Sequence, residues 1–307
     1  MVSDLIGNRL FSAAVTPMRA DEGVDHGALA AMLDGDIARG IEGVYVCGSS
    51  GEGVLLSEDE RVQVAETAVT AASGRVPVIS HVGAMTTGEA IRIASAAKQS
   101  GVAAISMIPP LYYGYSTVDV VRHFRTVIDA VELPFLLYNI PQFTGRDISE
   151  GGFEELLELP QVIGVKHTSR NLYGAERIIT RHAHLSLVNG FDEFYLPALS
   201  IGARGAIGTT VSLQIDLFRS LRRRFEAGDS HGARAVQVRI NDTVESMVAV
   251  GVFGAAKYLN GKLSVPLGEC RAPLPHLTAE DRTRLDAVFE RLKEHIATTA
   301  EEDAHAR

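Results

Sequence analysis

Val162-Ile163-Gly164-Val165-Lys166-His167-Thr168 is a short apolar run and reads as a buried strand. Seven further segments read the same way: Phe11–Val15, Gly43–Cys47, Val76–Val82, Ala103–Ile108, Pro134–Tyr138, Leu185–Asn189 and Gly205–Thr209. Helical apolar spacing separates consecutive strands. Ser57-Glu58-Asp59-Glu60 opens one helix as a capping box. Thr86–Lys98 gives another, with Ile91, Ile93 and Ala94 on its inner side and Gly101 near its end. Eight strand–helix units predict an α/β fold, the (β/α)₈ TIM barrel. An open doubly wound sheet would usually carry a glycine-rich fingerprint after its first strand. Thr16-Pro17-Met18-Arg19 is not one.

After residue 212 the alternation stops. Ser212–Ala227, Asp229–Val250, Gly254–Asn260 and Thr278–Thr298 all read as helical. Residues 1–212 are therefore expected to supply the barrel strands and catalytic loops. Residues 213–307 supply the last barrel helix and a C-terminal helical extension, as one structural unit. The polar tail Thr299–Arg307 is expected to fray.

The 307 residues are 46% hydrophobic and 22% charged, an ordinary balance for a globular protein with a sizeable core. A net charge of -9 argues against nucleic acid or an anionic membrane as partner, but leaves room for a small anion at a local positive site. Cys47 and Cys270, the only cysteines, suggest neither a disulfide framework nor a metal-ligand spacing. Met1–Ile6 lacks a basic region followed by an apolar core, and no apolar run reaches spanning length. The default expectation is a cytoplasmic protein.

An ammonium inside a buried strand is unfavourable, because desolvation penalises the charged form. Lys98, Lys257, Lys262 and Lys293 lie on stretches that read as helices or loops, so Lys166 is the basic side chain to explain. Unlike arginine, lysine can become a neutral nucleophile, which raises Schiff-base chemistry. In this fold the site lies at the C-terminal strand ends. That rule selects Gly48-Ser49-Ser50-Gly51-Glu52, Pro109–Tyr113, Tyr138-Asn139-Ile140-Pro141, Lys166 with Thr168, Gly190-Phe191-Asp192-Glu193, and Gly208-Thr209-Thr210. Strand alternation puts Gly164 and Thr168 on the face of Lys166, and Tyr138 with Leu136 on one face of the preceding strand. A phenol beside the amine can shuttle protons. Two glycines and two hydroxyls at 48–51 suit a carboxylate or phosphate.

Read one at a time, these residues also suit structural work. A lysine near a strand end can reach solvent, and Tyr138 suits a core aromatic. Gly48–Gly51 suits an ordinary turn, Asp192 and Glu193 a solvated rim, and Tyr112-Tyr113 packing or an interface. His81, His123, His167, His182 and His184 include no helical ligand pair, so no metal site is expected; His182 and His184 are expected to be exposed.

Taken together, the Gly48–Glu52, Tyr138–Pro141 and Val162–Lys166 segments resemble the family of lysine-dependent pyruvate aldolases grouped around N-acetylneuraminate lyase and dihydrodipicolinate synthase. The likeness runs from Thr16-Pro17 to the last helices. Lys166-His167-Thr168-Ser169, Asn171-Leu172-Tyr173, Asn189–Glu193 and Gly251-Val252-Phe253 are similar to the lyase branch. The synthase branch has arginine two residues after the proline of the tyrosine motif; Phe143 stands there. The resemblance implies that Lys166 forms the imine, Tyr138 shuttles protons, and Ser49 and Ser50 hold the pyruvyl carboxylate. It implies that Tyr112 approaches a neighbouring subunit's site in a homotetramer, completing a relay with Ser50 and Tyr138. Thr168, Gly190, Asp192, Glu193 and Thr209 would hydrogen-bond a sugar, with Phe253 beside it. Ser50, Pro109 and Thr209 depart from common family residues.

The leading expectation is a cofactor-free class I aldolase cleaving N-acetylneuraminate, with a small keto acid as its partner. Alternatives are an aldolase or dehydratase for another 2-keto-3-deoxy sugar acid, dihydrodipicolinate synthase activity, a non-catalytic binding barrel, and a metal-dependent aldolase.

Overall fold

The computed structural model describes residues 5–305, so part of the N-terminal stretch read above lies outside the described residues. Eight parallel strands close on themselves: β1 (Leu10–Ala13), β2 (Gly43–Val46), β3 (Val78–His81), β4 (Ala104–Met107), β5 (Phe135–Asn139), β6 (Val162–His167), β7 (Ser186–Asn189) and β8 (Gly205–Gly208). β1 pairs with both β2 and β8, closing the barrel. Around it run α1 (His26–Ala38), α2 (Glu58–Ala72), α3 (Thr87–Ser100), α4 (Thr117–Val131), α5 (Pro141–Thr144), α6 (Glu154–Leu157), α7 (Leu172–Arg181), α8 (Tyr195–Ser200) and α9 (Ile215–Glu226). The C-terminal extension is α10 (Ser230–Val248), α11 (Val252–Leu263) and α12 (Ala279–His305).

Local signals act where the sequence places them. Ser57 caps α2 through the Glu60 amide, and Glu60 reaches back to the Ser57 amide at 2.8 Å. Thr86 caps α3, and Gly101 ends it in the left-handed region. Period-two alternation sorts β5 into two cores. Leu136 and Tyr138 join the barrel interior, while Phe135 and Leu137 pack outward with the helices. Val165 likewise faces outward, which turns Lys166 inward.

The tail differs from expectation. α12 continues to His305, and Thr299 is buried. Arg224 bonds Asp303 at 2.9 Å and Glu302 at 3.1 Å, while Arg239 donates to Thr299 at 2.6 Å and pairs with Glu302. Three arginines of α9 and α10, Arg223 included, thus hold the last turns that polar composition alone suggested were loose.

Gly164 lies where β6 and β7 pass closest. A Cβ there would sit 2.2 Å from the Ser186 carbonyl oxygen, so one of the two backbones must move. Gly164→Ala is expected to destabilise the protein by about 2 kcal/mol or more in urea unfolding; wild-type stability would remove the proposed constraint on β6.

Candidate active site

The register of β5 against β6 sets Tyr138 opposite Lys166 and Asn139 opposite His167. The first pair points into the barrel. Lys166 is 3% exposed, and its Nζ lies 3.9 Å from the Tyr138 ring centroid and 4.3 Å from that of Tyr45. No carboxylate lies within salt-bridge distance of it among the described residues. Tyr45 and His81 each meet Tyr138 edge to face. Burial drives the Tyr45 phenol well above its usual range, with Tyr138 adding to the effect, so it stays protonated and donates to Ser106 at 3.1 Å. Burial, with Arg61 and Lys166 nearby, holds His81 well below its usual value and therefore neutral.

The outward pair is a polar brace. The Asn139 amide donates to Asp147 at 2.7 Å and lies 3.1 Å from His167 Nδ1, while its oxygen accepts the Ile148 N–H at 3.0 Å. Asp147 also accepts from Ser149 and Ser169. Burial depresses His167 to about 4, so it is neutral at physiological pH. This brace fixes the segment leading from Tyr138 to Gln142 and Phe143.

A cleft lies over Lys166. It brings together most of the sequence candidates: Ser49, Ser50, Tyr138, Lys166, Thr168, Gly190, Asp192, Glu193, Thr209 and Phe253. The Ser50 hydroxyl pairs with Thr209 at 2.7 Å, while Ser49 lies 3.5 Å from the Tyr138 hydroxyl. Within this chain Ser49 is thus the serine within reach of the phenol, while Ser50 turns to Thr209. Tyr112 does not line the cleft; it is 88% exposed, with φ 77°. His184 is exposed as expected, but His182 is half-buried, packed edge to face on His184.

Asp192 is buried and lines the same cleft. Its Oδ2 accepts the Thr210 N–H at 2.8 Å and hydroxyl at 2.7 Å, whereas Oδ1 has no partner among the described residues. Gly208 makes its position possible, since a Cβ there would fall 1.6 Å from Oδ1. Burial pushes Asp192 up to about 6 despite the Thr210 bonds, with Glu193 adding in the same direction. A buried acceptor aimed at a cleft suits a substrate hydroxyl.

Several contributors have no local sequence signal. Tyr45 reads as an ordinary strand residue, and Val244, Val248 and Val252 belong to distant helices that form the apolar wall. Thr210, which holds Asp192, is signalled only by its place at a strand end. Lys257 is on a helix as expected, yet it is 1% exposed and paired with Glu52, so Lys166 is not the only buried lysine. Among the described residues, no group of three or more His, Cys, Asp or Glu side chains is placed to hold a metal.

The dihydrodipicolinate synthetase family model matches residues 7–292. The N-acetylneuraminate lyase of Rhizobium meliloti strain 1021 is 41% identical over 279 residues, covering 90% of this chain and 92% of that protein. Among solved structures, a catalytic lysine mutant of Ruminococcus gnavus sialic acid aldolase has a TM-score of 0.92 at 26% identity, covering 97% of this chain and 99% of that one. CdNal from Clostridium difficile, in complex with mannosamine, has a TM-score of 0.90 at 29% identity, with 94% and 99% covered. The fold and site define a carbon–carbon lyase of the pyruvate-dependent aldolase class. The chain belongs to the dihydrodipicolinate synthetase family.

Between pH 3.9 and about 6, native Asp192 keeps a proton that the unfolded chain has lost; above pH 6 the native state bears a buried carboxylate. Asparagine carries no such penalty. The stability of Asp192→Asn relative to wild type is expected to rise between pH 4 and pH 8, by up to about 3 kcal/mol, in urea unfolding. A difference independent of pH would contradict the assigned burial of this charge. The His167 contribution has the opposite sign, being lost as pH falls from its unfolded value towards 4, and cancels in this comparison.

Proposed function

We propose that this enzyme is a class I aldolase that reversibly cleaves N-acetylneuraminate to pyruvate and N-acetylmannosamine, through a Schiff base on Lys166 and without a cofactor. The observation that carries this reading is the Lys166 amine at the cleft floor, 3.9 Å from the Tyr138 ring centroid, in a cleft lined by hydroxyl donors and by the Asp192 and Glu193 carboxyls. The amine attacks the keto carbon, and loss of water gives the imine. Tyr138, left as phenolate once its proton has gone to the departing water and the imine is left protonated, takes the proton of the C4 hydroxyl as the C3–C4 bond breaks. The bonding pair moves into the imine, giving an enamine and releasing the aldehyde. Protonation at C3 and hydrolysis then free pyruvate and regenerate the amine.

Ser49 and Ser50 hold the keto-acid carboxylate in this reading. Thr168, Gly190, Asp192, Glu193 and Thr209 meet the sugar hydroxyls, and Phe253 flanks them. Apart from Lys166, the acidic side chains Asp192 and Glu193 are the charged groups lining the cleft, which favours an uncharged aldehyde over a carboxylate-bearing one. Phe143, where a synthase would use arginine, lies on the same wall. The relatives named as N-acetylneuraminate lyase and sialic acid aldolase support the same substrate.

The proposal extends to a homotetramer in which Tyr112 reaches a neighbouring subunit's cleft. Exposure of the edge-to-face Tyr112–Tyr113 pair supports a contact there. A cytoplasmic setting is in keeping with two free, buried cysteines, Cys47 and Cys270.

Borohydride with pyruvate is expected to leave a stable adduct on Lys166, read by peptide mass, and Lys166→Ala should give none. N-acetylneuraminate should release pyruvate, with Tyr138→Phe lowering kcat by about a hundredfold or more. Trapping without sialic acid cleavage would redirect the assignment to another 2-keto-3-deoxy sugar acid, and absence of trapping would overturn it. Sedimentation should find a tetramer; a monomer would remove the role given to Tyr112.

A further inference from the structure

Glu52 follows the Gly48–Gly51 turn and adopts φ 55°, in the left-handed region that is uncommon for residues with a Cβ. Its side chain points away from the cleft into the protein. Oε1 lies 2.5 Å from Lys257 Nζ, and Oε2 accepts the Arg271 N–H at 2.7 Å. Lys257 also donates to the Glu269 carbonyl at 2.8 Å. The two side chains are 1% and 0% exposed. Neither lines the cleft.

Each partner sits one step from a residue that does. Glu52 adjoins the turn bearing Ser49 and Ser50. Lys257 lies one helical turn beyond Phe253 on α11. Two further side chains anchor the turn: the Thr16 hydroxyl donates to the Gly51 carbonyl at 2.7 Å, and Thr209 pairs with Ser50 at 2.7 Å. The turn is thus tied to the segment after β1 by Thr16, to the end of β8 by Thr209 and to α11 by Glu52.

Apolar replacement of a buried ion pair is often neutral or stabilising, so holding the fold together does not by itself require this one. An apolar pair would lack direction. The ion pair and the Arg271 bond fix where the Glu52 backbone lies, and through it the serine hydroxyls. We infer that Glu52 and Lys257 are a positioning pair that sets the Ser49–Ser50 carboxylate site from behind. This inference rests on the Schiff-base reading above.

The test is the Glu52→Gln/Lys257→Met double variant, which leaves no lone buried charge. Glutamine keeps an acceptor for the Arg271 N–H. Half-saturating pyruvate is read from borohydride trapping well below the variant's Tm, so that only folded enzyme contributes. Val288→Ala, a cavity variant in α12, serves as a stability control. The double variant is expected to need about tenfold more pyruvate, as for loss of one well-placed hydrogen bond to a carboxylate. Its trapping at saturation should stay near wild type. The single Glu52→Gln variant, which strands the Lys257 ammonium, should have the lower Tm of the two. Unchanged half-saturation in the double variant overturns the inference whatever its Tm. An equal shift in Val288→Ala overturns it too, by showing the effect to be general loosening. Failure of wild-type enzyme to trap pyruvate would instead remove the Schiff-base reading.

Discussion

Parallel strands hold their residues in register through backbone hydrogen bonds, and in this barrel the register puts Tyr138 beside Lys166. The alternation that sends this pair inward sends Asn139 and His167 outward, where Asp147 braces them. A slip of one residue would turn Lys166 toward the helices and His167 into the cleft. Closure of the barrel prevents it, because β5 and β6 are each paired on both sides. The site depends on this register: the amine, the phenol and the loop leading to Phe143 all hang from it.

The molecule manages its buried charges in different ways. Lys166 faces the cleft between two phenol rings without a carboxylate partner among the described residues. Asp192 is half-satisfied by Thr210 and pushed up to about 6 by burial. Glu52 and Lys257 neutralise each other away from the cleft. Arg61 donates to the Gly83 and His81 carbonyls, while its Nε has no partner among the described residues. Lys166 and Asp192 open on the cleft, where a substrate can complete them. The Glu52–Lys257 pair stands behind it.

The cleft carries two kinds of polar group. Hydroxyls at the Gly48–Gly51 turn can donate to a carboxylate, while Asp192 and Glu193 repel a second one. Gly208 lets the Asp192 carboxylate fold in against β8, so the acceptor end owes its shape partly to a missing side chain. An enzyme built this way gains discrimination from groups that would otherwise remain unpaired.

The amino-acid sequence by itself determined the eight strands, the Ser57–Glu60 capping box and the side-chain faces of β5 and β6, because these follow from local periodicity and propensity. It also singled out Lys166, since a lysine in an apolar strand is locally anomalous, and the strand-end rule gathered Ser49, Tyr138, Thr168 and Asp192 around it. What only the tertiary structure decided involves partners far apart in the chain. Glu52 meets Lys257, Arg239 meets Glu302, and Ser50 bonds Thr209. Val248 reaches the cleft wall from α10. Side-chain pairing of this kind is set by how helices and loops pack against the closed barrel. No window of neighbouring residues contains that information.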